Sequence, residues 1–351
     1  MTWRRYNSRM IRTRAIATVL AGWVLATAVW TAAKDKDAAM DPKELISRAL
    51  QKQELWVEGT PALLLHGEVR IWERKGNVAK GEYTYSWISP SRWREEIRFL
   101  NYQRIRIGDA GGYWQKSDLE YEPEMIFNLE KVLYVKDALR VNMKQTLTKV
   151  KAEKDKDSQK NCTDVKWPSA TEKTLCFDEA DGTLASVEYH RIDGQHAPEV
   201  SRLEFDKYAT VGDKRVPQEV RALSGTNPVA SLNVLELTPA AQMDPALFNP
   251  PDNAEHWATC KDVQGRELLS SDPPIYPPGS KAKLEQGRVI YYVVVEGDGT
   301  LSHEKLIQGA TPALDAVTRA TLNEWRYKPA ACGKTPVRTE TSISMDFWLG
   351  G

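Results

Sequence analysis

The sequence predicts an α+β protein in two parts, a large antiparallel sheet carrying a few helices and then a small sheet-and-helix module. Three observations predict it. Apolar residues alternate with polar ones over many short runs separated by Gly, Asp and Pro turn signals, as antiparallel strands require. Proline-rich stretches at 249–253 and 271–278 break that pattern and divide the chain, because proline cannot donate to a ladder. The 351 residues suit about two domains of ~150 residues each. Lys plus Arg and Asp plus Glu each total 48, so no net field favours nucleic acid, which is not an expected partner.

Residues 1–14 carry five arginines (Arg4, Arg5, Arg9, Arg12, Arg14), and Ala15 to Ala33 is a run of 19 residues without charge. A basic start before an apolar run is an export signal, and the run is also near the roughly 20 residues of a membrane span. Residues 1–33 are therefore expected to be a signal peptide or an N-terminal anchor in the inner membrane. Either reading puts everything after Lys34 outside the cytoplasm. Four cysteines fit an oxidising compartment. Cys162 and Cys176 lie 14 apart and Cys260 and Cys332 lie 72 apart. Three connectivities are open; pairing the cysteines in that order keeps each disulfide within one expected domain. No C-x-x-C occurs, and His66, His190, His196, His256 and His303 lack ligand spacing, so neither metal nor cofactor is expected.

The first expected domain spans 41–248. Asp41 with Glu44 reads as a capping box, followed by Leu45, Ile46, Ala49 and Leu50 at helical spacing. After the break at Gly59-Thr60-Pro61 the period becomes two: Leu65, Val69 and Ile71, then Tyr83, Tyr85 and Trp87, alternate with polar residues. Further strands are expected at 93–100, 103–107, 113–116, 184–191, 199–208, 216–222 and 230–237. Residues 123–141 read as one or two short helices and 149–160 as a mixed-charge loop. The row Tyr83, Tyr85, Trp87 would line an apolar groove; core packing explains the same spacing.

Residues 249–272 are expected to be a linker holding a short helical stretch at 261–269. In 273–349, a β-forming run from Val289 to Val295 leads into the turn Gly297-Asp298-Gly299 and a return strand at 301–308. Pro312 starts a helix whose apolar face holds Leu314, Val317, Thr321, Leu322 and Trp325. In the last strand Val337, Thr339, Thr341, Ile343, Met345 and Phe347 alternate with Arg338, Glu340, Ser342, Ser344 and Asp346. A three-stranded antiparallel sheet with two helices results.

Two resemblances add to this reading. Ser89-Pro90-Ser91-Arg92-Trp93-Arg94, followed by Gly108-Asp109-Ala110-Gly111-Gly112-Tyr113-Trp114, resembles the proline-arginine strand and the aspartate-glycine hairpin of the LolA/LolB-like lipoprotein carriers. That likeness implies an incomplete antiparallel β-barrel with a helical lid and a lipid or lipoprotein as partner. Tyr83, Tyr85, Trp87, Trp93 and Trp114 would be the apolar ligand groove. Pro274-Ile275-Tyr276-Pro277, Gly297-Asp298-Gly299, Leu314-Asp315, Trp325-Arg326-Tyr327-Lys328-Pro329 and Phe347 resemble the TonB C-terminal domain in order and spacing. This likeness implies a periplasmic module of the bacterial envelope that pairs with the TonB box of an outer-membrane receptor by strand addition and works with inner-membrane motor proteins. It puts the receptive edge at 339–347, with Thr339, Thr341, Ser342, Ile343, Ser344, Met345 and Phe347 as the contacting residues. One departure is clear: the ten residues from Lys34 to Lys43 reach at most about 36 Å, and no long Pro-rich bridge follows the basic N-terminal segment. The competing reading is a periplasmic carrier whose tail module serves for docking. No catalytic residue is expected. No nucleophile elbow, P-loop or dinucleotide fingerprint is present, and Glu95 and Glu96, adjacent on a strand, point to opposite faces.

Overall fold

The computed structural model describes residues 40–349, apart from 73–75, 120–122, 142–144, 156–157, 168–169, 191–199, 241 and 261–262. The segment expected as an export signal or anchor, 1–33, lies outside the described residues. Among the described residues no helix is long and apolar enough to cross a membrane.

Helix α1 (Pro42–Gln53) starts where Asp41 accepts from the Lys43 N–H and proline takes the first turn, whose N–H groups need no helical partner. Glu44 does not complete a capping box; it pairs with Arg48 one turn on. Five strands follow, β1 (Leu63–Trp72), β2 (Val78–Ser89), β3 (Arg92–Phe99), β4 (Tyr102–Asp109) and β5 (Gly112–Ser117), then helices α2 (Glu124–Leu133) and α3 (Val135–Ala138). Eight more strands continue the meander: β6 (Thr146–Leu147), β7 (Lys151–Asp155), β8 (Ser158–Trp167), β9 (Ala170–Asp178), β10 (Leu184–Tyr189), β11 (Arg202–Val211), β12 (Lys214–Ser224) and β13 (Asn227–Pro239). A last strand, β14 (Glu255–Ala258), adds to the edge of β5.

These strands form one antiparallel sheet in the order β14-β5-β4-β3-β2-β1-β13-β12-β11-β10-β9-β8-β6, with β7 also on β8. The two ends do not pair, so the sheet is open. It is nevertheless curled. Strands β4 and β9 stand eight steps apart in that order, about 38 Å if flat at ~4.8 Å per step. Yet Tyr102 of β4 and Leu175 of β9 belong to one core, with Leu45 of α1 and Ile126, Leu129 and Val132 of α2. The α2–α3 segment crosses between the limbs: Arg104 of β4 donates to Glu130 of α2 at 2.7 Å, and the Lys173 ammonium of β9 donates to the Ala138 and Arg140 carbonyls at 2.7 and 2.8 Å.

The C-terminal module contains β15 (Val263–Gln264), β16 (Glu267–Ser270), α4 (Pro278–Ala282), β17 (Gly287–Val295), β18 (Leu301–Gln308), α5 (Pro312–Leu322), β19 (Arg326–Lys328), β20 (Ala330–Cys332), β21 (Thr335–Val337) and β22 (Thr339–Phe347). Its main sheet runs β18-β17-β22, beside the small sheets β15-β20-β21 and β16-β19. Helix α5 is capped by Thr311 and packs Leu314 and Leu322 on Val289, Tyr291, Val293 and Met345. It ends at Leu322, short of Trp325. Gly299 has φ +84° in the β17–β18 turn, and a Cβ there would lie 1.9 Å from the Tyr327 carbonyl oxygen, so only glycine fits.

The molecule is more strand-rich than an α+β reading with short helices implies. Residues 149–160, expected as a loop, hold β7 and the start of β8. An edge strand of the composition Lys-Ala-Glu-Lys-Asp shows no apolar period because its described side chains are all exposed. Residues 261–269, expected as helical, hold β15 and β16 instead, each paired with a strand of the module. Cys162 and Cys176 face each other on β8 and β9 and are joined. Cys260, which follows β14, is joined to Cys332 at the end of β20, the pairing expected from the sequence.

Candidate functional site

The run Val289-Ile290-Tyr291-Tyr292-Val293-Val294-Val295 is apolar without alternation because β17 is covered on both faces. Every one of these residues is buried. Val289, Tyr291 and Val293 face α5, while Tyr292 and Val294 pack with Trp257 of β14 and, beyond it, Tyr113 of β5. The module's second face is thus seated on the β5–β14 end of the large sheet. β14 reaches that position through Gly112, where a Cβ would lie 2.1 Å from the Trp257 carbonyl oxygen. Arg338 lies 3.9 Å above the Trp257 ring and its guanidinium donates to Glu255 at 2.6 Å.

Beneath this junction lies a buried charge network. Glu95 of β3 accepts from the hydroxyls of Tyr83 at 3.1 Å and Tyr134 at 2.6 Å and from Arg104 at 3.2 Å. Burial, reinforced by the Glu95 charge, pushes both phenols well above their usual range, so they stay protonated donors. Glu130 accepts from Arg104 at 2.7 Å and Arg106 at 2.8 Å. Arg106 then reaches out of the large sheet to Glu340 of β22 at 3.3 Å, and the Tyr292 hydroxyl donates to the other oxygen of Glu340 at 2.8 Å. Burial works against the charge of Glu130, but Arg104 and Arg106 overcome it and hold its carboxyl below the ordinary value. A depressed folded-state value gives stability that is present above the ordinary glutamate range and is lost as pH falls through the folded value. Lowering pH from neutral to about 3 should therefore destabilise the wild type more than Glu130→Gln, measured as urea midpoints across pH. Equal acid sensitivity would show that Glu130 is not a source of the loss.

The module's sheet has two edges, and they differ. β18 is bulged against β17 twice, carries His303 at φ +53° and presents exposed His303 and Lys305; bulges and lysines blunt an edge against further pairing. β22 pairs with β17 over nine residues without a register shift, from Thr339 opposite Val295 to Phe347 opposite Gly287. Among the described residues no strand occupies its other side. Ile343, Met345 and Phe347 are buried toward α5, Ser342 and Ser344 are exposed, and Thr339 and Thr341 are half-buried. The seven residues assigned to the peptide edge thus lie on one continuous strand. Its start is also the docked end: Glu340 meets Arg106, and Thr341 accepts from Arg266 at 2.6 Å.

The five residues assigned to an apolar groove do not form one. Tyr83, Tyr85 and Trp87 are 3%, 8% and 2% exposed, and Trp56 packs over Tyr85 and Trp87 with ring centroids 4.5 and 5.7 Å away. Trp93 stacks on Tyr85 and is half-buried. Trp114 donates to Asp109 beside His256, on the opposite face from its neighbour Tyr113. The row is therefore core packing, as one reading of its spacing allowed. Sequence reasoning missed Trp257, Arg106, Glu340, Arg338 and Arg266. The signal that could have found them is the unbroken β17 run, whose second face needed a partner.

Residues 272–349 match the family described as Gram-negative bacterial TonB protein C-terminal. No curated protein matches the chain. Among solved structures, a DUF1329 family protein from Desulfovibrio piger is 10% identical over 60% of this chain and 98% of that one, with a TM-score of 0.41. A LolA superfamily protein from Nitrosomonas europaea is 6% identical over 60% and 98%, at 0.36. The TonB CTD of Pseudomonas aeruginosa is 23% identical over 28% of this chain and 98% of its own length, at 0.23.

Proposed function

We propose that this is a TonB-type protein of the bacterial envelope that takes up an extended peptide of an outer-membrane receptor as a fourth strand beside β22, in support of transport across the outer membrane. The observation that carries this reading is the contrast between the two edges: β18 is bulged and presents exposed His303 and Lys305, and β22 is long and in register, with its two carboxylates, Glu340 and Asp346, paired to Arg106 and Arg288. Backbone N–H and C=O groups along such an edge supply affinity to any extended segment, and side chains at alternate positions select among segments. The family match at 272–349 supports the same reading. The tail module is not a bead on a flexible tether in this scheme. The large sheet acts as its platform, standing where a long bridge would otherwise be.

The test is amide hydrogen exchange on the full chain with a receptor peptide. Exchange within 339–347 should slow, with alternate amides protected, and β18 should not change. Protection confined to β18 or to the large sheet would defeat the assignment. A variant adds a second check: Ser344→Pro should weaken peptide binding at least tenfold if its N–H is one of the outward donors. If that N–H points to β17 instead, the variant loses thermal stability, and the exchange data then decide the matter.

A further inference from the structure

Arg106 is shared between two distant parts of the chain. Its Nε donates to Gln115 at 2.6 Å, one terminal nitrogen donates to Glu130 of α2 at 2.8 Å, and the other reaches Glu340 of β22 at 3.3 Å. The hold on the helix is therefore tight and the hold on the strand is slack. Arg104 is fully enclosed and tied to both Glu95 and Glu130, but Arg106 borders open space. A cavity of about 340 Å³ lies beside it, bordered also by Glu130, Tyr134, Thr339 and Glu340. The Thr339 hydroxyl oxygen is buried and has no hydrogen-bond partner among the described residues, an unfavourable state for a polar atom out of water. The guanidinium thus has room to turn, and a carboxylate and a vacant acceptor stand at the start of β22.

The geometry points to Arg106 as a two-position coupling between α2 and β22. In the position seen, its fork is closed on Glu130 and the helix is held down. When α2 loses that grip, because a ligand displaces the helix or the Glu130 charge is removed, the fork turns about its bond to Gln115 and closes on Glu340 and Thr339. The first residues of β22 are then held more firmly. Freeing Arg106 from Glu340 does the reverse and leaves the fork to Glu130. A planar fork grips one carboxylate with two parallel bonds or two carboxylates with one bond each, so tightening one end loosens the other. Linkage makes the effect mutual: whatever binds and shifts α2 is felt at β22, and occupancy of β22 is felt at α2. The consequence for peptide uptake rests on strand addition at β22. The coupling itself does not, and it is tested without any peptide.

Amide hydrogen exchange on the full chain is compared between wild type, Glu130→Gln, Glu340→Gln and Arg338→Gln. Glu130→Gln should speed exchange across 124–133 and slow it at 339–341 about fivefold, the lower end of ordinary coupling between sites. Glu340→Gln should reverse both signs. General destabilisation only accelerates exchange, so it cannot produce changes of opposite sign in one variant. Arg338→Gln cuts the module's contact with Glu255 and leaves Arg106 untouched; it should not slow exchange in α2. Adding Thr339→Val to Glu130→Gln should remove most of the slowing at 339–341, because the vacant acceptor is gone. Exchange at 339–341 that stays at the wild-type rate or accelerates in Glu130→Gln overturns the coupling, whether or not a peptide adds to β22. Slowing of α2 in Arg338→Gln overturns it too, since docking in general and not Arg106 would then govern the helix. A receptor peptide that leaves 339–347 unprotected defeats strand addition and leaves the coupling standing.

Discussion

Glu95→Ala is expected to lower the unfolding free energy by about 3–5 kcal/mol, the usual cost of stripping one partner from a buried ion pair. The Glu95 side chain is 2% exposed and that of Arg104 is fully buried. Removing the carboxylate leaves Arg104 paired with Glu130 and takes the acceptor from the Tyr83 and Tyr134 hydroxyls. The variant thus loses more than one contact. Urea denaturation followed by tryptophan fluorescence measures the loss. Glu95→Gln, which keeps an acceptor and removes the charge, should fall between wild type and alanine. A loss below about 1 kcal/mol in the alanine variant would mean that the network is satisfied without Glu95.

Trp257→Ala is the second large effect, with an expected loss of about 3–5 kcal/mol from the cavity it opens. Trp257 is 7% exposed and is the pivot of the junction. Its ring covers Tyr292 and Val294 of β17 and lies under Arg338. Because β17 is a strand of the module and β14 a strand of the large sheet, the damage should appear on both sides. Amide exchange should accelerate in β17 and β14 together, while α1 and β9 remain slow. Acceleration limited to β14 would show that the module keeps its second face covered without the tryptophan.

Much of this architecture was legible in the sequence. Alternation exposed β1, β2 and β22, the Asp-Gly turn exposed the β17–β18 hairpin, and Pro312 announced α5. What was hidden shares one cause. Strand β7 is an edge with no buried face, so its charges carry no period. Strands β15 and β16 are two and four residues long, too short for any pattern. The aromatic row in β2 could not say whether it faced a ligand or Trp56, since both choices use the same spacing. For the site, residues 339–347 could be placed on an edge strand, but nothing local marked Glu340 or Arg266. Their roles come from segments far away in the chain: Arg106 is 234 positions from Glu340 and Arg266 is 75 from Thr341.

The bridge between Cys260 and Cys332 reroutes mechanical load. Suppose a bound segment is tugged from β22 while the large sheet is held. Tension then enters the backbone at 333–338, crosses sulphur to sulphur at Cys332–Cys260, and arrives in β14 without passing through residues 261–331. Strands β17 and β18 and helix α5 hang outside that path as a covalently closed loop, so a pull cannot unravel them end to end. Reducing the bond sends the same pull straight through the small domain's interior, turning a stiff coupling into a stretch of unwinding chain.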